Sequence, residues 1–175
     1  MLPNPIKVLC VEDNALVGGA MGRKLQGNPD FQWLGWVSTS AELFQKVAET
    51  PPDVICMDLD IPGENAFEMI EQLRTRSPQS RVMILSGHFS QKLVDESEIA
   101  GAWGYLSKAE ESRLIIDSIK RIASGATVFG RTSDVAKRVT PNQSPLPEIK
   151  NPVPPPATKR PFSFLRFFRK SGVEQ

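Results

Sequence analysis

Three stretches of the chain, Ile6 to Val11, Val54 to Met57 and Val82 to Leu85, are apolar at nearly every position and show no alternation with polar residues. A strand with one wet face alternates. A strand that does not alternate is covered on both faces, which in an α/β protein means a parallel sheet held between layers of helices. Two further apolar runs, Trp33 to Val37 and Ala102 to Leu106, bring the set to five. Residues 14–26, 40–49, 65–76, 90–99 and 110–124 carry apolar side chains at spacings of three and four, the period of a helix with one buried stripe. Strand and helix alternate five times, so the pattern predicts an α/β fold, a doubly wound five-stranded parallel sheet of (βα)5 order. Asn14, Ser40 and Asn65 stand where helix N-caps are expected, and Pro62-Gly63 breaks the chain between the third strand and the third helix.

The pattern fades after Gly125 through ATVFGRTSDVAKRV, and from Thr140 the composition changes. Residues 140–161 hold eight prolines, which disfavour both helix and sheet and predict an extended linker. The expected organisation is a folded domain over 1–125, a junction over 126–139, a proline-rich linker over 140–161 and a basic aromatic segment over 162–175, the tail being disordered. The formal net charge of +1 divides unevenly: residues 1–139 carry 15 basic and 18 acidic side chains, and residues 140–175 carry 6 and 2. That balance makes no case for nucleic acid as a partner of the whole chain. Cys10 and Cys56 lie inside apolar runs without the spacing of a zinc site or redox pair, and are read as core residues. No stretch approaches the roughly 20 apolar residues of a membrane span, and MLPNPIK lacks an apolar signal core, so a cytoplasmic location is expected. Between residues 159 and 170 four phenylalanines accompany five basic residues. On a helical wheel Arg166, Arg169 and Lys170 gather near Ser163, opposite Phe164, Leu165, Phe167 and Phe168. This segment is expected to dock on a surface, either an anionic membrane or a groove on a protein partner.

Chemistry-bearing residues sit just past the strands. The first ends in Glu12-Asp13, the third in Asp58, the fourth in Ser86 and the fifth in Lys108. Parallel strands end on one edge of the sheet, so these residues converge there. Three clustered carboxylates repel one another, and a hard, oxygen-preferring cation such as Mg²⁺ relieves the repulsion. With Lys108 and Ser86 placed to meet phosphoryl oxygens, Asp58 is a candidate nucleophile that would form an aspartyl phosphate.

The motifs VLCVEDN, DVICMDLDIPG, RVMILSG and GYLSKAEE, each at a strand end and in this order, resemble those of response-regulator receiver domains over roughly residues 5–125. The resemblance implies a flavodoxin-like fold, with Glu12, Asp13 and Asp58 as metal carboxylates and the Asp60 backbone carbonyl as a further Mg²⁺ ligand. It implies Asp58 as phosphoacceptor, Lys108 as the phosphate-pairing cation, Ser86 as the switching hydroxyl and Tyr105 as the switching aromatic. Asp60 and His88, each two residues beyond Asp58 and Ser86, match positions that tune phosphate lifetime. Glu12 stands where Asp is more usual, Ala66 replaces a common Gly and Gly87 a frequent Ala. No required functional group is lost. A histidine kinase or phosphotransfer protein is the implied donor and a downstream protein the implied target; no catalysis beyond the domain's own phosphotransfer is implied. The region from Gly104 to Val139 is also similar to the receiver-to-effector junction of LuxR-type regulators. The 36 residues after Val139 are too few and too rich in proline for a helix-turn-helix domain, so DNA binding is not expected. Two alternatives are a phosphate relay or sink without its own output, and a haloacid-dehalogenase-like phosphatase using Asp58-Leu59-Asp60. The phosphatase motif belongs at a first strand, whereas here the acidic pair precedes Asp58.

Overall fold

A computed structural model describes residues 4–129. The elements alternate as the apolar pattern predicts: β1 (Ile6–Val11), α1 (Ala15–Gln26), β2 (Phe31–Val37), α2 (Ser40–Glu49), β3 (Val54–Met57), α3 (Ala66–Arg76), β4 (Arg81–Ser86), α4 (Gln91–Ala100), β5 (Gly104–Ser107) and α5 (Ser112–Ala123). One element is additional. Val128–Phe129 form β6, a two-residue strand parallel to β5, so among the described residues the sheet has six strands, one more than the five expected. The folded region therefore runs past the boundary placed at residue 125. Two residues are too few to show a period in the sequence; Gly104↔Val128 pairing recruits them.

The strand order is β2-β1-β3-β4-β5-β6, and every described pair is parallel. Alternate residues of each strand feed alternate layers. Ile55 and Met57 join Leu43, Val47, Met69, Leu73 and Val94 from α2, α3 and α4. Val54 and Cys56 join Met21, Leu25, Ile115, Ile119 and Ile122 from α1 and α5. Burial on both sides is what removed alternation from the sequence. Cys10 and Cys56 face each other in register on the α1/α5 side, free and buried. Burial, followed by the nearby Glu12 carboxylate, pushes the Cys10 thiol up to about 12, and burial holds Cys56 well above its ordinary value. Both are core thiols, as their apolar context predicts.

The helix starts follow side-chain chemistry. Asn14 accepts the Leu16 N–H at 3.0 Å, and Asn65 accepts the N–H groups of Phe67 and Glu68. The cap of α2 is Thr39 rather than Ser40: its hydroxyl accepts the Glu42 N–H at 3.2 Å, while Glu42 reaches back to the Ser38 N–H at 2.8 Å. Glu42 lies three residues after Thr39, the spacing of a reciprocal cap, which leaves Ser40 as the first helical residue.

An irregularity in β2 positions two tryptophans. Val8 and Cys10 of β1 are two positions apart, but their partners Trp33 and Trp36 are three apart, and the extra residue is accommodated at Gly35 with φ +102°. This bulge turns Trp36 to the same side as Trp33, where Gly22 and Gly18 of α1 make room. A Cβ on Gly18 would stand 2.7 Å from Trp36 Cγ, and one on Gly22 2.9 Å from Trp33 Nε1.

Candidate functional site

The chain leaves β1 for β2 on one side and reaches β3 on the other, so a crevice opens beyond the ends of β1 and β3. Glu12 and Asp13 follow β1 and Asp58 follows β3, tied together by the Asp58 N–H donating to the Val11 carbonyl at 2.9 Å. One carboxylate oxygen from each of the three lies within 4.8 Å of the others. Glu12 and Asp58 are 3% and 4% exposed, a costly environment for charge, and Asp13 is exposed. Lys108, just beyond β5, offsets that cost. Its ammonium stands 2.7 Å from Asp58 Oδ2 and 2.7 Å from Glu12 Oε2. Burial works against the Lys108 ammonium, but the hydrogen bonds to Asp58 and Glu12 outweigh it and raise its pKa. The Lys108 N–H also donates to the Ser86 carbonyl at 2.8 Å, which fixes the end of β5 to the end of β4.

The other expected residues form a second group around His88. Ser86 is fully buried, and its hydroxyl accepts the His88 N–H at 3.1 Å. Tyr105, also fully buried, donates its hydroxyl to the His88 carbonyl at 2.6 Å. Burial raises the Tyr105 phenol, with a hydrogen bond to Ser86 working the other way. The His88 ring reaches Asp60 Oδ2 at 3.2 Å, bridging the β4–α4 and β3–α3 loops. His88 thus touches all three of the other residues of this group, a connection its isolated position in the sequence did not reveal. Phe89 was not singled out either, though it packs edge-on against Tyr105 with centroids 5.6 Å apart. An aromatic next to His88 was the available signal.

The family model for the response regulator receiver domain matches residues 8–120. The chain belongs to this family. Its receiver is 32% identical over 122 residues to the transcriptional activator protein ExaE of Pseudomonas putida, covering 67% of this chain and 55% of that protein. The chain spans roughly half the length of the curated relatives it matches. A LuxR-family two-component response regulator from Aurantimonas sp. SI85-9A1 shares the fold at TM-score 0.69 and 23% identity, covering 76% of this chain and 94% of that one. The response regulator domain of Thermotoga maritima CheB does so at 0.62 and 23%, covering 69% and 97%. Receivers of this family signal through phosphorylation and bind Mg²⁺ at an acidic pocket.

The acidic pocket of this receiver fits such an ion on its own chemistry. Three carboxylates against one lysine leave a formal charge of −2, which a divalent cation cancels. Lys108 occupies Asp58 Oδ2, and the Asn14 N–H approaches Glu12 Oε1 at 3.3 Å, but Asp58 Oδ1 is buried with no partner. A buried carboxylate oxygen left bare is unfavourable unless something binds it. Among the described residues no other group of three or more such ligands gathers, and none of their helices is long and apolar enough to cross a membrane. The segments 140–161 and 162–175, with the membrane or groove expected for residues 159–170, lie outside the described residues.

Proposed function

We propose that Asp58 accepts a phosphoryl group from a histidine kinase or phosphotransfer protein and that the phosphorylated receiver signals by binding a downstream protein. The observation that carries this reading is the half-satisfied Asp58 carboxylate: Lys108 holds one oxygen at 2.7 Å and the other is buried and bare. In the reaction a carboxylate oxygen bonds phosphorus, the bond to the donor's nitrogen or oxygen breaks, and the leaving group departs with that electron pair. Lys108 is placed to shift from the carboxylate to a phosphoryl oxygen, so charge stays paired along the path. A Mg²⁺ held by Glu12, Asp13, Asp58 and the Asp60 carbonyl would supply neutralisation of the phosphoryl oxygens. No turnover beyond this self-phosphorylation and its hydrolysis belongs to the reading.

Ser86 and Tyr105 are the proposed switch. Ser86 donating its hydroxyl to a phosphoryl oxygen alters the environment of the His88 N–H, and His88 carries the change to Tyr105 through its carbonyl. With Mg²⁺ and acetyl phosphate, the protein should gain one acid-stable, base-labile phosphoryl group, and Asp58→Asn should gain none. Normal labelling of Asp58→Asn at another carboxylate would overturn the assignment. Ser86→Ala should still be labelled but lose the phosphate-dependent change in partner affinity, measured by titration calorimetry with and without phosphodonor.

A further inference from the structure

Strand pairing brings together sulfurs that lie far apart in the sequence. Cys10 of β1 and Cys56 of β3 are partners in register, and both side chains enter the layer packed against α1 and α5. Met21 of α1 belongs to the same layer. All three border one cavity of about 70 Å³, whose other apolar walls include Ala20, Leu85 and Ile115. An apolar strand context accounts for the burial of each cysteine singly; it does not call for two thiols and a thioether around one space. That space is far below the roughly 300–1,000 Å³ of clefts that hold organic ligands, so its natural occupant is an ion.

The spacing of the pair discriminates between the bonds two cysteines can make. Adjacent strands stand about 4.8 Å apart, and in-register side chains on one face leave the backbone at about that separation. A disulfide needs the two Cβ atoms at about 3.8 Å, closer than the ladder holds them. Two metal–thiolate bonds of about 2.3 Å laid end to end span ~4.6 Å, which the ladder already provides. Thiolate and thioether donors together favour a soft ion, Cu⁺ above all. We infer that Cys10, Cys56 and Met21 form a binding site for Cu⁺, with the two thiolates on opposite sides of the ion and the Met21 thioether as third ligand. Each thiol releases its proton to solvent as its sulfur bonds the ion. The occupied site then carries one negative charge, and Lys24 and Lys108 border the same cavity. Glu12 and Asp58 border it too, but their hard oxygens suit Mg²⁺ and leave the soft ion to sulfur. Cys10 and Met21 keep 4% and 8% of their surface exposed while Cys56 keeps none, so the ion enters past the first two. The site does not depend on the proposed phosphorylation of Asp58.

Titration of the full chain with Cu⁺ in oxygen-free buffer, against bicinchoninate as a coloured competitor, should show one ion bound per chain. Cys10→Ala and Cys56→Ala should each weaken binding by about 100-fold or more, since loss of a ligand costs more than loss of an outer-shell partner. Met21→Leu, which nearly preserves volume, should weaken it by a smaller factor. Circular dichroism of the ion-free variants establishes that they fold. Two measurements on the wild-type chain need no variant. X-ray absorption at the copper edge should show a shell of sulfur neighbours at about 2.3 Å. The thermal midpoint should rise on adding Cu⁺, because the ion binds the folded pair of strands. A first shell of nitrogen or oxygen, equal affinity in the doubly substituted Cys10→Ala, Cys56→Ala protein, or loss of the native dichroism on binding would overturn the inference. Acetyl phosphate labelling of the ion-free protein reports separately on Asp58.

Discussion

At the scale of single residues, Lys108 decides whether the acidic pocket is stable. It is the ammonium paired with both Glu12 and Asp58, and it keeps only 26% of its side-chain surface exposed. Lys108→Met would leave two buried carboxylates facing each other. Breaking a buried pair costs about 3–5 kcal/mol, and the lower end is expected because the lysine is partly wet. Chemical denaturation in EDTA should show a loss of about 3 kcal/mol, and millimolar Mg²⁺ should recover part of it. A second expectation concerns the bridge from His88 to Asp60. If the two side chains narrow the path of water to the phosphoryl group, His88→Ala should shorten the half-life of phosphorylated protein, followed by loss of radiolabel; an unchanged half-life would leave the bridge without that role. The residue identities in the site were legible in the sequence because Glu12, Asp13, Asp58 and Lys108 stand one or two positions past a strand and Ser86 is the last residue of β4. The bonds among them were not. That Lys108 serves Glu12 as well as Asp58, and that His88 joins Ser86, Tyr105 and Asp60, depends on how loops fold back after the strands, which no local pattern records.

At the scale of elements, α1 places two tendencies in opposition. Glycine costs a helix interior about 1 kcal/mol relative to alanine, so each glycine of α1 invites replacement. Gly19 has only Arg23 Nη1 at 3.5 Å from its would-be Cβ, and Gly19→Ala should stabilise by ~0.5–1 kcal/mol. Gly18→Ala and Gly22→Ala drive a methyl into Trp36 and Trp33, and overpacking of about 1–3 kcal/mol should exceed the propensity gain. Thermal melts of the three variants should therefore differ in sign, with Gly19→Ala alone above wild type. The Thr39 to Glu42 cap makes a pH-dependent expectation. Hydrogen bonds from Ser38, with Thr39 assisting, hold Glu42 below its ordinary 4.5, so its contribution is present above about pH 4.5 and is lost as pH falls through the lower folded value. The stability gap between wild type and Glu42→Gln should accordingly close in acid. The five helices were legible to within two residues at either end, since their apolar stripes persist for three turns. The cap of α2 was misplaced by one residue because Thr39 and Ser40 are chemically alike, and only the reach of Glu42 distinguishes them.

At the scale of the whole molecule, the site belongs to the sheet rather than to any one loop. β1, β3, β4 and β5 each deliver a group to one edge, and both helical layers pack against those strands. Occupation of the acidic pocket should therefore stabilise the entire domain: at 100 times its dissociation constant, Mg²⁺ should contribute about 2.7 kcal/mol in a thermal or denaturant melt. Asp13→Ala, which removes an exposed carboxylate and leaves the buried pair to Lys108 intact, should fold normally and lose most of that increment. An increment equal to wild type would exclude Asp13 from the metal site. The fold class was legible because doubly covered strands lose their alternation; the sixth strand was hidden because pairing, not composition, creates it. The same sheet also has two borders. An exposed strand edge is a template on which a neighbouring chain can add its own backbone and begin to aggregate. Among the described residues one border is Val128–Phe129, too short to hold a visiting strand, and at the other the extra residue at Gly35 puts the β2 amides out of step with a regular partner. The bulge that seats Trp36 against α1 thus also guards that border against self-association.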